Sequence, residues 1–494
     1  MLVLFLACTA GSTPASSTPD ADTAPDTGAA ERFDVIVVGS GPAGIAAAWA
    51  ASEAGAEVLL LERADFGGPG LRHAGLLYGA VTPWHEEAGV VDTLAAATAD
   101  WAGTTGVDPA DNGAAAYIAA SAATLERAAA HGLPLFPPTP TDNDTINRLH
   151  PVAWPPDADR FATLTAGLDA ELRLGTEVTG PLLEAGRVVG VTARTAGAAA
   201  DHELRAGAVI LATGGFLRQL DAVAEVRPDL AALDLLFETS PYSEGLALPF
   251  LVQVGAGREQ PEQIGTYFHS VRDPRFEGAE ALVLNHTETF ILVGGDGVRF
   301  ADDTMLGDYS TVAEAPAGDI WLVTGGQVAT DLTFSPPGYN LADLAVPETY
   351  TVADLAAWGS PDVAQADELT ELAELTGLTA LPATVDAFNQ MAADTTVDAF
   401  GRLIEPRAAL TGPPWLALRL RAGLAKNFGG VRTDLASRVL TAQGEAVPGL
   451  YAAGEVAGMV PGGGSGAGFN GSASACWYGG FVAGETAAAE APAE

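Results

Sequence analysis

Three short runs along the chain are apolar at consecutive residues rather than at alternate ones. They lie in DVIVV at 34–38, GAVILATGGF at 207–216 and VPGLYAAGEVAG at 447–458, each with glycine at or just beyond its end. Unbroken aliphatic and β-branched runs of this length predict strands buried on both faces, as in a parallel sheet. Behind the first run the pattern changes to an alanine-rich stretch, Ile45 to Glu53, which predicts a tightly packed helix. Another strand follows from Glu57 to Leu61. Strand, helix and strand in that order make a βαβ unit. The first thirty residues carry no such pattern. Residues 9–30 use only Thr, Ala, Gly, Ser, Pro and Asp, and predict a disordered linker with nothing to bury.

Composition narrows the class. The 494 residues are long enough for more than one domain. No run of eighteen apolar residues appears, so no spanning helix is expected. The formal charge is −40, from 63 acidic and 23 basic residues. A field of that sign repels phosphate backbones, so nucleic acid is not an expected partner. The charge is spread along the chain, which fits a surface adapted to its medium, such as a salty one, rather than an acidic binding tail. The two cysteines, Cys8 and Cys476, are too few for a disulfide framework, an iron–sulfur cluster or a haem attachment site, and no metal is expected. MLVLFLAC at 1–8 resembles a bacterial lipoprotein signal with Cys8 as the lipidated residue. It lacks the positively charged start and has a short apolar stretch. With the linker behind it, it suggests an exported protein tethered to the membrane of a bacterial envelope through Cys8; the alternative is a cytoplasmic protein with an irregular N-terminus.

The candidate chemistry begins at GSGPAG, 39–44. Gly39 permits a tight turn, Gly41 lets a pyrophosphate approach the backbone, and Gly44 lets the helix pack on the strand. The helix N-terminus favours phosphate charge. Glu62, at the end of the second strand, can accept hydrogen bonds from a ribose hydroxyl. These parts in this order predict a dinucleotide site and leave FAD and NAD both open.

The downstream runs resemble the flavoprotein family of fumarate reductases and succinate dehydrogenases, which also holds 3-ketosteroid dehydrogenases. ATGG at 212–215 and AAGE at 452–455 carry the likeness, with FGGPG at 66–70, SEGLAL at 243–248, GDGVRFADD at 295–303, PPWLALRL at 413–420 and NFGGVRTD at 427–434. The resemblance covers nearly all of 32–488. It implies FAD as cofactor and an α/β fold: a Rossmann-like FAD-binding domain of the GR2 type, at 32–257 and 399–490, with an inserted α+β capping domain at 258–398. It also implies a hairpin over 176–194 turning near Ala185–Gly186. The implied FAD contacts are Gly39, Gly41, Pro42, Ala43, Gly44, Glu62, Arg63, Gly68, Val178, Ala212, Thr213, Gly214, Gly454, Glu455, Gly468, Gly471 and Ser472. Glu455 is assigned to the ribityl or adenosine side. The glycine-rich loop after it is expected along the isoalloxazine ring, where a Cβ would collide with the cofactor. NGSASACWYGGFVAGE then resembles a helix whose start faces the flavin pyrimidine edge, with Cys476 packed inside it.

Where the family's substrate cations belong, the chain departs from the pattern. RFADDTMLGDYSTVAE carries no basic residue after Arg299, and PGGGSGAGFNG has no arginine. A dicarboxylate needs paired cations, so a small, largely neutral substrate is expected instead of fumarate or succinate. Tyr309 gives a half match to the ketosteroid enzymes, whose tyrosines polarise a ketone. The catalytic candidates are His269, near a family histidine that binds carboxylate; Tyr309, as a proton donor or acceptor; and Lys426, where the family has a histidine. His286, Asp303 and Arg299 are assigned structural roles, and Tyr478 a core one. His73 lies near where some relatives attach FAD covalently, though the noncovalent form is expected. No second GxGxxG follows a strand, and GGDG at 294–297 is read as a hairpin turn. Electrons are therefore expected to pass to or from an outside partner such as a quinone, a cytochrome or oxygen. The resulting expectation is an FAD-dependent dehydrogenase or reductase acting on a C–C or CH–OH bond. The alternatives are a dicarboxylate oxidoreductase, a peroxide-producing oxidase, and a noncatalytic electron-relay subunit.

Overall fold

The computed structural model describes residues 31–73, 75–138, 146–155, 158–230, 233–285, 289–300, 318–337, 349–394, 400, 409–466 and 471–491. Cys8, His286, Asp303, Tyr309 and Gly468, and the side chain of His73, lie outside them.

Two sheets organise the chain. The first has eight strands and is built on a parallel set: Ala446–Ala452, His202–Leu211, Arg32–Val38, Val58–Leu61 and Glu171–Arg173, side by side in that order. The three apolar runs are neighbours at its centre, and Val35, Ile36, Val209, Ile210 and Leu450 have no exposed surface. Each strand is shorter or differently bounded than its apolar run, because the glycines at the run's end leave the sheet. The hairpin Thr176–Glu184 and Arg187–Thr195 pairs antiparallel against His202–Leu211. Its turn falls at Ala185 and Gly186, both with positive φ, as the tight two-residue turn requires.

The alanine-rich helix Pro42–Glu53 covers one face of this sheet. The last helix, Ser472–Glu490, lies against it. Gly480 and Gly484 sit one turn apart, and a Cβ on either would run into the carbonyl of Ala43 or Ala47. Small residues on both helices thus let the backbones meet, which is why alanine and glycine crowd these segments. A further helical layer is pinned from inside by Arg148. This fully buried guanidinium bonds Asp92 through Nε (2.9 Å) and Nη2 (2.6 Å), and Asp100 through Nη1 (2.6 Å).

The second sheet has nine strands and is almost wholly antiparallel, with its own cores. It differs from the boundary read from sequence. Its central strand is Trp415–Asn427, which pairs with Ile264–Arg272, Ile320–Gly325 and Val363–Ala366. Leu236–Phe237 joins it in parallel. The capping sheet therefore takes in residues on both sides of 258–398. The sequence from 413 resembles a return to the FAD domain, but its apolar alternation is satisfied only by the cap core. GGDG forms a hairpin turn, with Gly294 N–H donating to Val298 O at 3.0 Å. Among the described residues no helix is long and apolar enough to cross a membrane. Nor does any group of three or more His, Cys, Asp or Glu among them suit a metal ion.

Candidate functional site

The carboxyl ends of three strands converge. Gly39 N–H bonds Leu61 O (2.8 Å), Ala212 N–H bonds Val38 O (2.8 Å), and Ala453 N–H bonds Leu211 O (3.0 Å). This brings the 39–44 turn, Ala212–Gly214 and Gly454–Glu455 together where open α/β sheets bind ligands. Gly44 is there for packing, since a Cβ would strike the Gly39 carbonyl. Gly41 is different: its Cβ would meet no protein atom within 4 Å. Its lack of a side chain serves something other than the protein's own packing. The helix that starts here has Pro42 in its first turn, no side-chain cap and no acid. A bare, positively polarised helix end beside an open backbone suits a pyrophosphate.

Glu62 is buried, and both its oxygens already serve the turn. Oε2 accepts from Ser40 N–H (3.0 Å) and Ser40 Oγ (2.7 Å), and Oε1 accepts from Ala64 N–H (3.0 Å). Ser40 Oγ in turn accepts from Gly68 N–H at 2.9 Å. A carboxylate has about four acceptor positions, so Glu62 retains capacity for a ribose hydroxyl while it clamps the loop. Arg63, assigned to the cofactor from sequence, pairs with Glu244 at 2.6 Å and lies 5.2 Å from the centre of the Tyr242 ring. It thereby ties the SEGLAL segment to the nucleotide turn. Val178, on the hairpin, packs on the core behind the sheet.

At the last helix, Gly471 has φ 141°, caps with no side chain, and leads into a first turn free of acids. Lys426 Nζ lies 3.5 Å from Ser472 Oγ and 5.3 Å from the centre of the Phe428 ring. Lys426 forms no ion pair among the described residues. Two positive features, an ammonium and a helix end, thus share one place. Beside them Glu455 Oε1 accepts from Asn427 N–H at 3.0 Å, and burial pushes its carboxyl up to about 7. Asn427 donates through Nδ2 to Gly429 O (2.7 Å) and Glu455 O (2.9 Å), while its Oδ1 is buried without a hydrogen-bond partner. Thr213 Oγ1 is also buried and unpartnered. Orphaned polar atoms of this kind are rare in a finished interior. A cofactor bearing ribityl and phosphate hydrogen-bonding groups fits them, so the residues present fit FAD. Cys476 packs beside Gly454, and burial pushes its thiol up to about 12, so it stays neutral.

In the glycine-rich loop the protein's own packing also demands glycine at several positions. Gly464 has φ +99°, which L side chains rarely adopt, and a Cβ there would strike Asn112. Neighbouring loop glycines press in the same way on Leu435 and Thr105.

On the cap, His269 stands at an irregularity. Tyr267 pairs with Gly423 and Ser270 with Arg421, so three steps on one strand oppose two on the other. This β-bulge lets adjacent residues reach one partner. His269 Nε2 is 2.9 Å from Glu238 Oε2, and Ser270 Oγ donates to Glu238 Oε1 at 2.6 Å. Tyr267 stacks on the imidazole, with centroids 5.1 Å apart at 24°. Sequence reasoning missed Glu238. The available signal was Gly423, a glycine inside a strand: a Cβ there would occupy the Glu238 carboxylate. Lys426 pairs with Gly265 on the same strand as His269, roughly 13 Å away at about 3.3 Å per residue. The two catalytic candidates are not in contact.

Among the described residues, five arginines on or beside the cap are engaged by carboxylates. Arg218 holds Glu280 (2.8 Å), Arg272 holds Asp234 (2.8 Å), Arg275 holds Asp273 (2.7 Å), and Arg419 and Arg421 share Asp362 (3.0 and 2.8 Å). Arg299, assigned a structural role, is buried against Phe388 and Phe400.

Comparison with known proteins gives the family and the fold. The family model described as FAD binding domain matches residues 34–470. An NADH:fumarate oxidoreductase of Klebsiella pneumoniae is 26% identical over 88% of this chain, which spans only 45% of that protein. A KsdD-like steroid dehydrogenase of Mycolicibacterium smegmatis is 26% identical over 87% of this chain and 94% of its own length. Among solved structures, the open conformation of a flavocytochrome c3 fumarate reductase superposes with a TM-score of 0.70. It has 23% identity and covers 94% of this chain and 79% of that one.

Proposed function

The chain belongs to the FAD binding domain family of flavoprotein oxidoreductases, and from that premise we propose that it moves a hydride between FAD and a C–C or CH–OH bond of a small, largely neutral substrate. Bound FAD supplies the hydride-accepting centre. Gly39–Gly44, Glu62 and Ala212–Gly214 would hold its nucleotide half. Glu455, Gly471 and Ser472 would hold the flavin half, with Lys426 adding positive charge beside the helix end. His269, on the cap, would take or return the proton.

The commitment of the cap arginines carries the case for a neutral substrate. A dicarboxylate needs two cations aimed at it, and Arg218, Arg272, Arg275, Arg419 and Arg421 are engaged by carboxylates of the protein itself. Freeing Arg275, or Arg419 and Arg421, leaves the buried carboxylate of Asp273 or Asp362 uncompensated, at a cost of several kcal/mol. The electron partner is an outside quinone, cytochrome or oxygen. The leader-like stretch ending at Cys8 supports an exported, lipid-tethered form, checked by membrane fractionation of the wild type against Cys8→Ser.

The deciding experiment is anaerobic reduction of the bound flavin by succinate, 4-androstene-3,17-dione, lactate and cyclohexanol, added singly. Bleaching by the steroid or by cyclohexanol supports the proposal, while bleaching by the lactate anion keeps the CH–OH chemistry and overturns the neutral substrate. Bleaching by succinate restores the dicarboxylate alternative. Bleaching by dithionite alone fits a reductase or an electron relay, and reoxidation of the reduced flavin by an enone such as 2-cyclohexenone separates the two.

A further inference from the structure

We infer that Glu238 is a positioning residue that fixes His269 in the Nε2–H tautomer, leaving Nδ1 as the proton-accepting nitrogen. This rests on the proposal that His269 handles the substrate proton, and it adds a residue and a specific ring atom to it.

The donor and acceptor inventory dictates the tautomer. An ionised carboxylate only accepts hydrogen bonds. Glu238 is 8% exposed, and each of its oxygens faces one partner: Ser270 Oγ at Oε1 and His269 Nε2 at Oε2. Ser270 satisfies its side by donating its hydroxyl. His269 can satisfy the other side only if Nε2 carries the hydrogen. Nδ1 then holds the lone pair, and no hydrogen bond engages it among the described residues. The ring itself is held by the stack on Tyr267 and by the bulge at the preceding residue.

The local fold is arranged around this contact. Glu238 follows Leu236–Phe237, which pairs in parallel with Gly423–Leu424, and its own N–H bonds Leu424 O at 3.0 Å. Gly423 leaves the space that the carboxylate fills. A base oriented by a buried carboxylate is a recurrent solution in acid–base chemistry, because the carboxylate holds the imidazole and balances the imidazolium once it forms. Substrate oxidation by this route breaks one bond to hydrogen at the proton-donating atom and forms Nδ1–H. The resulting charge stands opposite Glu238, while the hydride leaves with its electron pair to the flavin oxidant. The reductive direction returns the same proton.

The test is nitrogen NMR of the FAD-loaded full chain labelled with 15N-histidine, with His269 assigned by its loss in His269→Gln. Wild type should show His269 as the Nε2–H form. Glu238→Asp, which keeps an acceptor-only group, should retain it. Glu238→Gln presents both a donor and an acceptor, so it no longer dictates the tautomer and should lower the Nε2–H excess toward that of free histidine. A wild-type ring in the Nδ1–H form, or one whose Nε2–H excess is already that of free histidine, overturns the inference. Ser270→Ala serves as a second probe if Glu238→Gln does not fold: it removes the other donor and should leave the His269 tautomer unchanged. If the tautomer follows Glu238 but His269→Gln still takes electrons from the bleaching compound of the panel above at the wild-type rate, the pairing stands and the proton assignment to His269 fails.

Discussion

Acidification should weaken the fold through one histidine, and the size of the effect can be worked out. His150 has no exposed surface. Its Nδ1 bonds Phe136 O at 3.1 Å, and its Nε2 lies 3.2 Å from Thr82 Oγ1, which is itself 2.7 Å from His85 Nδ1. Burial pushes the His150 ring down to about 4, against an ordinary value of 6.5. A depressed ring contributes stability that is fully present above 6.5 and is lost as pH falls toward 4, because the unfolded chain takes up the proton first. Between pH 7.5 and 5 that loss is about 2 kcal/mol, and it approaches roughly 3 kcal/mol below pH 4. Glu455 works in the opposite sense over the same window. Its carboxyl is raised, so the folded state binds the proton first and gains stability on acidification. Burial also lowers the rings of His85 and His131, so the wild-type curve alone mixes several effects, and the difference between two proteins isolates the His150 share. Urea denaturation of the wild type and of His150→Asn, each at pH 7.5 and pH 5, should show the wild type losing about 2 kcal/mol relative to the variant. Parallel losses in the two proteins would refute the argument that buried His150 resists protonation.

Two further predictions concern the cofactor side. Glu455 should couple FAD binding to pH. Ionised, it is the better acceptor for a cofactor hydroxyl, so the FAD dissociation constant should rise about tenfold from pH 8 to pH 6, as expected for a carboxyl near 7. In Glu455→Gln the titration should be flat, and a wild-type slope surviving in that variant would exclude this residue as the source. Lys426→Met removes the ammonium beside the last helix and should lower the two-electron potential of the bound flavin by about 30 mV or more, equivalent to ~1.4 kcal/mol. Spectroelectrochemical titration checks it, and an unchanged potential would place Lys426 away from the flavin's electrostatic reach.

Much of the nucleotide half was legible because local and global requirements coincide there. Residues 34–62 encode strand, turn, helix and acid within one contiguous stretch, and each glycine reports a backbone constraint. The hairpin turn at Ala185–Gly186 was legible for the same reason. In the glycine-rich loop after Glu455 a further constraint was not legible: Gly464 answers to Asn112, hundreds of residues away in the chain, and no local pattern carries that contact.

By itself the sequence determined the buried parallel strands, the dinucleotide turn, the alanine–glycine helices and the shortage of basic residues, since periodicity and composition are properties of adjacent positions. Only the tertiary structure decided that Trp415–Asn427 is the spine of the cap and that Arg272, Arg275, Arg419 and Arg421 are engaged by acids. It alone paired Arg63 with Glu244 and set Glu238 against His269. Those outcomes depend on which strands become neighbours and on the bulge between them. A bulge is a mismatch between two strands, so neither strand can announce it alone.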